Sequence, residues 1–248
     1  MRSIGVIPAR FASTRLPGKP LLLIDDKPMV QHVWDQASRC SNLDDLIVAT
    51  DDVRIYDKVT EFGGKVVLTS TDLKSGSDRA AEAVKGMNFD VVINIQGDEP
   101  FIESALIDNL ADLFNDNDTV MASAVRLADE NDDLANPNVV KVERDEDSNA
   151  ISFSREVITS EGESSAPEQL IHIGIYGYTT DFLMKFRDLE RTPLELTERL
   201  EQMRAIEHGF KIKLLQTTYH SLSVDTEEDL IRANEFANNL NGREIEIY

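Results

Sequence analysis

Cysteine is almost absent from this chain. Cys40 stands alone, which excludes a disulfide framework and a cysteine-held metal site. Long apolar runs are absent too. The opening segment 4–7 is broken at once by Pro8 and Arg10, so it does not read as a signal peptide. No stretch approaches the roughly 20 apolar residues that a bilayer-spanning helix needs. Repeats and low-complexity linkers are missing. Basic residues are scarce: 25 Lys and Arg stand against 46 Asp and Glu, for a formal net charge of −21. A surface that acidic repels phosphate backbones, which argues against nucleic acid as a partner. What these absences leave is a cytoplasmic globular protein without a membrane segment, and a 41% hydrophobic content over 248 residues can supply its core.

The most informative absence is local. Residues 1–24 contain no Asp or Glu, yet they hold Arg2, Arg10, Arg15 and Lys19. A solvated face is the ordinary explanation for excess charge. An acidic protein whose first loop is purely cationic has something else to explain, and a polyphosphate site would require that pattern.

Hydrophobic periodicity then gives the organisation. Strands are expected at 3–8, 46–50, 65–69, 91–95 and 120–125, with helices at 29–41, 52–62, 78–85 and 103–115 between them. Asp52 is placed to cap the second helix and Gly63-Gly64 to end it. Strand and helix alternate, so the first half is expected to be α/β with a mostly parallel sheet covered on both faces. The pattern changes after Asn136-Pro137. Segments 139–143, 150–153 and 169–178 read as strands joined by polar turns, with a loop at 161–168. Helices at 180–189 and 195–208, a strand at 211–217 and a helix at 226–240 complete the chain. The expectation is a single domain with a strand-rich excursion at about 136–180.

Each chemistry-bearing motif falls after a strand, where open α/β sheets bind ligands. The first is P-A-R-F-A-S-T-R-L-P-G-K-P, 8–20. It is neither the dinucleotide fingerprint G-x-G-x-x-G nor the P-loop G-x-x-x-x-G-K-[ST]. It still sets Arg10, Arg15 and Lys19 among small residues, which suits a triphosphate; three unremarkable surface cations are the alternative. The second is I-N-I-Q-G-D-E-P, 93–100. Asp98 suits magnesium, which takes one or two carboxylates together with substrate phosphates. Glu99 is the weaker candidate, and a simple turn-and-cap role is the alternative. In S-V-D-T-E-E-D, 223–229, Asp225 is a second carboxylate for the metal, unless it or Thr226 serves only as a helix cap. S-G-S-D-R, 75–79, opens a helix and suits an anion or a polar base edge; capping by Ser77 or Asp78 explains it equally well.

Together with A-T-D-D, N-P-N-V-V-K-V, F-S-R, H-I-G-I-Y-G-Y, L-E-x-x-E-x-L-E-Q-M-R and V-D-T-E-E-D-L, these motifs run in one order from about Ile4 to Leu230. In that order the chain resembles the 3-deoxy-manno-octulosonate cytidylyltransferases, or CMP-Kdo synthetases. The resemblance implies a nucleotide-diphospho-sugar transferase fold, Rossmann-like, with a strand-rich arm that makes a homodimer. It implies a magnesium-dependent reaction of CTP with Kdo, giving CMP-Kdo and pyrophosphate for lipopolysaccharide assembly. Carried residue by residue, it assigns Arg10, Arg15 and Lys19 to the triphosphate and Ala9, Ser75 and Arg79 to the cytidine. It assigns Asp98 and Asp225 to the metal, and Gln96, Arg155, His172, Tyr176, Glu201 and Gln202 to the sugar. Without the resemblance, His172 reads as an ordinary strand residue, although Tyr176 at i+4 shares its strand face. Glu201 and Gln202, adjacent on an expected helix, diverge by about 100°.

The departures lie toward the sugar end. After F-S-R the usual proline is missing and Glu156 is added, and Tyr219-His220-Ser221 matches nothing in the family pattern. Glu156 raises the 8-amino analogue of Kdo as an alternative substrate, because a carboxylate pairs with an ammonium. A cytidylyltransferase for a nine-carbon acidic sugar, or an inactive nucleotide-binding regulator, are the remaining alternatives.

Overall fold

In the computed structural model, residues 1–13, 15–158 and 168–242 are described. The first strand, β1 (Ser3–Ala9), is buried along nearly its whole length. That follows from its position at the middle of a sheet, where an apolar run is needed on both faces. It pairs in parallel with β4 (Asp45–Thr50) on one side and β6 (Val91–Asn94) on the other. Side chains alternate: Ile4 and Val6 enter one core layer, Ile7 and Ala9 the other. Burying each such aliphatic side chain contributes roughly 1.5–3 kcal/mol.

The chain between β1 and β4 forms a small hairpin, β2 (Leu23–Ile24) with β3 (Lys27–Pro28), and then α1 (Met29–Ala37). Periodicity does not reveal this hairpin; its turn, Asp25-Asp26, adopts positive φ at both residues, as a two-residue hairpin turn requires. Next comes α2 (Val53–Glu61), capped as expected by Asp52, whose side chain accepts from the Arg54 N–H. Gly63, at φ +82, ends that helix, and β5 (Val66–Leu68) closes this side of the sheet. α3 (Gly76–Ala83) precedes β6, and α4 (Ser104–Asp112) follows it.

Beyond β6 the sheet continues through β10 (Leu170–Thr179), β7 (Met121–Leu127) and β11 (Lys213–Gln216). Only β10 runs antiparallel to its neighbours along the main path. The strand-rich excursion is therefore narrower than 136–180. β8 (Lys141–Arg144) and β9 (Ala150–Ser154) leave the main path, whereas β10 threads between β6 and β7 because alternate residues on both of its faces meet core. The loop expected at 161–168 lies, apart from Glu168, outside the described residues.

α5 (Thr180–Asp188) packs against α3. The single helix expected at 195–208 is two short ones, α6 (Pro193–Glu198) and α7 (Met203–Glu207). The break is at Arg199, whose φ of 55° no α-helix accommodates. A buried ion pair holds the two pieces together: Arg204 Nη2 lies 2.6 Å from Glu195 Oε1. α8 (Glu227–Gly242) closes the fold.

Strand order reverses between β1 and β6, since β4 and β5 lie to one side of β1 and β6 to the other. The carboxyl ends of those two strands therefore open a crevice. Gly97 lets them approach: a Cβ there would stand 2.6 Å from the Pro8 carbonyl oxygen. Gly97→Ala is expected to destabilise the protein by about 1–3 kcal/mol. Urea unfolding checks it, and an unchanged midpoint would mean that this contact relaxes freely.

Candidate active site

The cationic loop after β1 is held by one apolar anchor. Leu16 is buried in a small cluster with Ile24, Met29 and Val224, to which α8 adds Ala233 and Ala237. Gly18, at φ +68, turns the chain against the Phe11 ring and starts a short helical turn at Lys19. With Leu16 facing inward, Arg15 and Lys19 face the crevice. Val224 shares the same cluster, so the residue after it, Asp225, is delivered to the same place. The Val224 N–H also donates to the Asp98 carbonyl at 3.0 Å.

Three segments far apart in sequence thus meet. Lys19 Nζ lies 2.7 Å from Asp98 Oδ2 and 2.9 Å from Asp225 Oδ1, and Arg15 reaches Asp225 Oδ2 at 3.2 Å. Burial alone would pull the Lys19 ammonium down; the two carboxylates outweigh it and hold the group above its ordinary value. Asp225 is not the helix cap. Thr226 and Asp229 form a reciprocal cap for α8, with Asp229 N–H donating to Thr226 Oγ1 and Asp229 Oδ2 accepting from the 225 and 226 N–H groups. That leaves the Asp225 carboxylate for the crevice.

Two cavities open here. The first, about 360 Å³, is lined by Ala9, Arg10, Arg15, Lys19, Ser75 and Arg79, among others. The second, about 500 Å³, includes Asn94, Arg126, His172, Tyr176, Glu201 and Gln202. Gly76, Gln96, Asp98 and Asp225 belong to both walls. The cavities are neighbours, and the two aspartates stand at their junction.

On the first side, Ser75 caps α3, its hydroxyl accepting from the Asp78 N–H at 3.0 Å; the helix starts at Gly76 rather than at Asp78. Arg79 is buried and already engaged. Its guanidinium meets Asp51 at 2.8 Å and bonds Thr69, so it braces the cavity wall, with Asp51 supplied by the A-T-D-D motif. Arg10, by contrast, is exposed at the end of β1.

On the second side, His172 and Tyr176 do share a face, with ring centroids 5.4 Å apart, despite a bulge in the pairing between them. Tyr176 donates to Gln202 Oε1 at 3.2 Å. Glu201 accepts from Ser77 at 3.0 Å, and burial raises its carboxyl above the usual range. Because α7 begins after Gln202, Glu201 turns to α3 and Gln202 to β10, and both still line the cavity. Gln202 Nε2 and both amide atoms of Asn94 are buried with no protein partner. Such groups ordinarily find one in a ligand or an ordered water. Arg155 lines neither cavity. Its guanidinium is bound to the carbonyls of Glu198 and Pro137, 2.7 Å each, and ties the arm to α6. Sequence reasoning missed Asn94, Arg126, Asn138, Arg199, Ser221 and Ser223 in this lining. Only Arg126, a charge ending an apolar strand, carries a visible signal.

Glu99 is buried between Tyr219, at 3.0 Å, and Ser221, both donating to it. Burial pushes its carboxyl up to about 7. Its two oxygens are taken up by these hydroxyls, although it lines the second cavity beside Asp98 and Asp225.

Burial lowers His172 to about 4, and Ser123 lies 2.9 Å from its Nε2. The imidazole is therefore neutral at pH 7. The unfolded chain binds its proton below about 6.5, so this residue costs stability progressively as pH falls from there toward 4. The expected result is that the stability difference between the wild type and His172→Gln shifts toward the variant over that window, by at most about 3 kcal/mol. Urea midpoints at pH 7, 6 and 5 check it; a pH-independent difference would contradict it.

Comparison with known proteins covers nearly the whole chain. A family profile described as cytidylyltransferase matches residues 4–212. A 3-deoxy-manno-octulosonate cytidylyltransferase of Fusobacterium nucleatum is 46% identical over 232 residues, covering 93% of this chain and 94% of that protein. One from Thermodesulfovibrio yellowstonii is 46% identical over 245 residues, with 93% and 96% covered. The structure of a CMP:2-keto-3-deoxy-manno-octonic acid synthetase complexed with CTP superposes at a TM-score of 0.91, with 34% identity and coverage of 96% and 99%. A putative glucose-1-phosphate thymidylyltransferase of Bacillus anthracis, 17% identical at a TM-score of 0.68, shares the fold alone. With its motifs in order and its cleft assembled, the chain belongs to the 3-deoxy-manno-octulosonate cytidylyltransferases.

Proposed function

We propose that this chain joins CTP to Kdo, giving CMP-Kdo and pyrophosphate for lipopolysaccharide assembly. One observation carries the reading: a cation-lined cavity and a polar cavity meet at Asp98 and Asp225. The first suits the nucleotide triphosphate, the second an acidic, hydroxyl-rich sugar. At their junction the anomeric hydroxyl of the sugar attacks the α-phosphorus. The new C–O–P linkage forms as the bond to the β-phosphate oxygen breaks, and the hydroxyl proton is lost to the medium.

The protein's contribution is orientation and charge. Arg10, Arg15 and Lys19 take the triphosphate, and Lys19 and Arg15 neutralise the departing pyrophosphate. Ala9 and Ser75 flank the cytidine, while Arg79 keeps that wall in place through Asp51. Gln96, His172, Tyr176, Glu201 and Gln202 orient the sugar. Magnesium fits the donor set: Asp98 and Asp225 already converge on a single cation, the Lys19 ammonium. Among the described residues no third His, Cys, Asp or Glu joins them, which suits an ion that completes its shell with substrate phosphates. When bound, magnesium supplies charge neutralisation at the phosphates and acidifies the attacking hydroxyl.

Glu156 lines neither cavity, so the amino-sugar alternative loses the residue that suggested it. The β8–β9 arm, where Ile151 is exposed, is the proposed homodimer contact; sedimentation of Ile151→Asp against the wild type tests it. No helix among the described residues is long and apolar enough to cross a membrane, in keeping with a cytoplasmic enzyme.

Pyrophosphate release from CTP, magnesium and a panel of acidic sugars tests the substrate. Kdo should be preferred over its 8-amino analogue and over nine-carbon acids. A clear preference for either rival would displace Kdo, and no release with any sugar would sink the enzymatic reading.

A further inference from the structure

The stretch Tyr219-His220-Ser221 belongs to none of the motifs named above, yet it is built into the site. Tyr219 and Glu99 are each only 5% exposed. The Tyr219 hydroxyl donates to one carboxylate oxygen of Glu99 at 3.0 Å, and the Ser221 hydroxyl donates to the other. His220, between them, points outward and is mostly exposed. The Tyr219 ring packs into the core layer beneath β1 and β6. Glu99 directly follows Asp98. Ser221 comes four residues before Asp225, and Val224 bonds back to the Asp98 carbonyl.

A buried carboxylate is costly unless its lone pairs are met. Glu99 meets that cost with two hydroxyls from one short segment, which fixes that segment's place. Without such a tie, the 217–226 connection would hang from β11 at one end and α8 at the other. Its remaining holds on the Asp98 loop would be the Val224 N–H, the Lys19 ammonium shared by Asp98 and Asp225, and the small Leu16 cluster.

We propose that Glu99, Tyr219 and Ser221 form a positioning clasp that sets the separation of Asp98 and Asp225, and hence the nucleotide–metal geometry of the junction. None of the three need touch substrate. The clasp rests on the proposed pairing of the two aspartates about a metal-bound triphosphate, but it makes a claim about the ligand-free protein as well.

Three variants of the full chain test it: Glu99→Ala, Tyr219→Phe with Ser221→Ala, and all three changes together. Hydrogen exchange in the ligand-free protein reads the clasp itself. Exchange across 219–225 should quicken by about tenfold in each of the first two, and no further in the third, because groups in one network do not add. Exchange in β1 and β6 should stay at wild-type rates, which general destabilisation would not allow. Glu99→Gln keeps an acceptor and the side-chain shape, so it should restore most of the protection. Calorimetric titration with CTP reads the consequence. Magnesium should tighten CTP binding to the wild type, and the clasp variants should lose at least about fivefold of that tightening while binding CTP alone normally. Unchanged exchange at 219–225, or additive effects of the two sides, would overturn the clasp. If Glu99→Ala does not fold, the Tyr219/Ser221 variant carries the same test. A wild type that ignores magnesium would instead sink the metal reading and leave the clasp to stand or fall on exchange.

Discussion

Asp98→Asn is expected to leave a folded protein whose turnover falls by about a thousandfold, the scale seen when a group opposing transition-state charge is removed. The substitution is nearly isosteric. The backbone bond from Val224 to the residue-98 carbonyl survives it, as do the buried contacts of Glu99 with Tyr219 and Ser221. Lys19 keeps an oxygen to bond, at 98 or at Asp225. What is lost is one negative charge at the junction of the two cavities, where the proposed mechanism brings the phosphates and magnesium together. Unchanged circular dichroism and an unfolding free energy from urea within about 1 kcal/mol of wild type should accompany the loss. Near-normal turnover would mean that the metal is held elsewhere.

Lys19→Met carries the second large effect, and its sign differs between two measurements. Turnover should fall by about a hundredfold to a thousandfold, since the ammonium proposed to neutralise the leaving pyrophosphate is gone. Magnesium binding to the ligand-free protein should instead tighten. In the wild type the ammonium sits 2.7 and 2.9 Å from the two carboxylates and competes for them; without it only Arg15, on Asp225, offsets their repulsion. Lys19→Arg should not restore activity, because a planar fork cannot replace a compact charge between two acids. Weaker magnesium binding in Lys19→Met would contradict the account.

The alternation of strand and helix was readable because buried parallel strands are plain apolar runs, as in 91–94, and because Asp52 and Gly63 sit where caps belong. The break at Arg199 was not readable, since a single residue of positive φ leaves no mark in a helical pattern. Nor was the Asp25-Asp26 hairpin, too short for any periodicity. Of the site, the convergence of Lys19, Asp98 and Asp225 was legible, because each follows a strand or precedes a helix at the same sheet edge. The position of Arg155, outside both cavity walls, was not legible. The F-S-R triplet is intact, but its guanidinium donates to two backbone carbonyls, and such partners are a tertiary property. Glu99 and Tyr219 were opaque for the same reason: 120 residues separate the partners of one hydrogen bond.

The pairing of Asp98 with Asp225 about a metal-bound nucleotide is tested most directly by anomalous diffraction from a crystal grown with CTP and manganese in place of magnesium. A single manganese peak should lie against both carboxylates and the triphosphate, with Lys19 Nζ moved off the aspartates and onto phosphate oxygens. A nucleotide bound in the cleft with its metal touching neither aspartate, or with Lys19 still lodged between them, would contradict it.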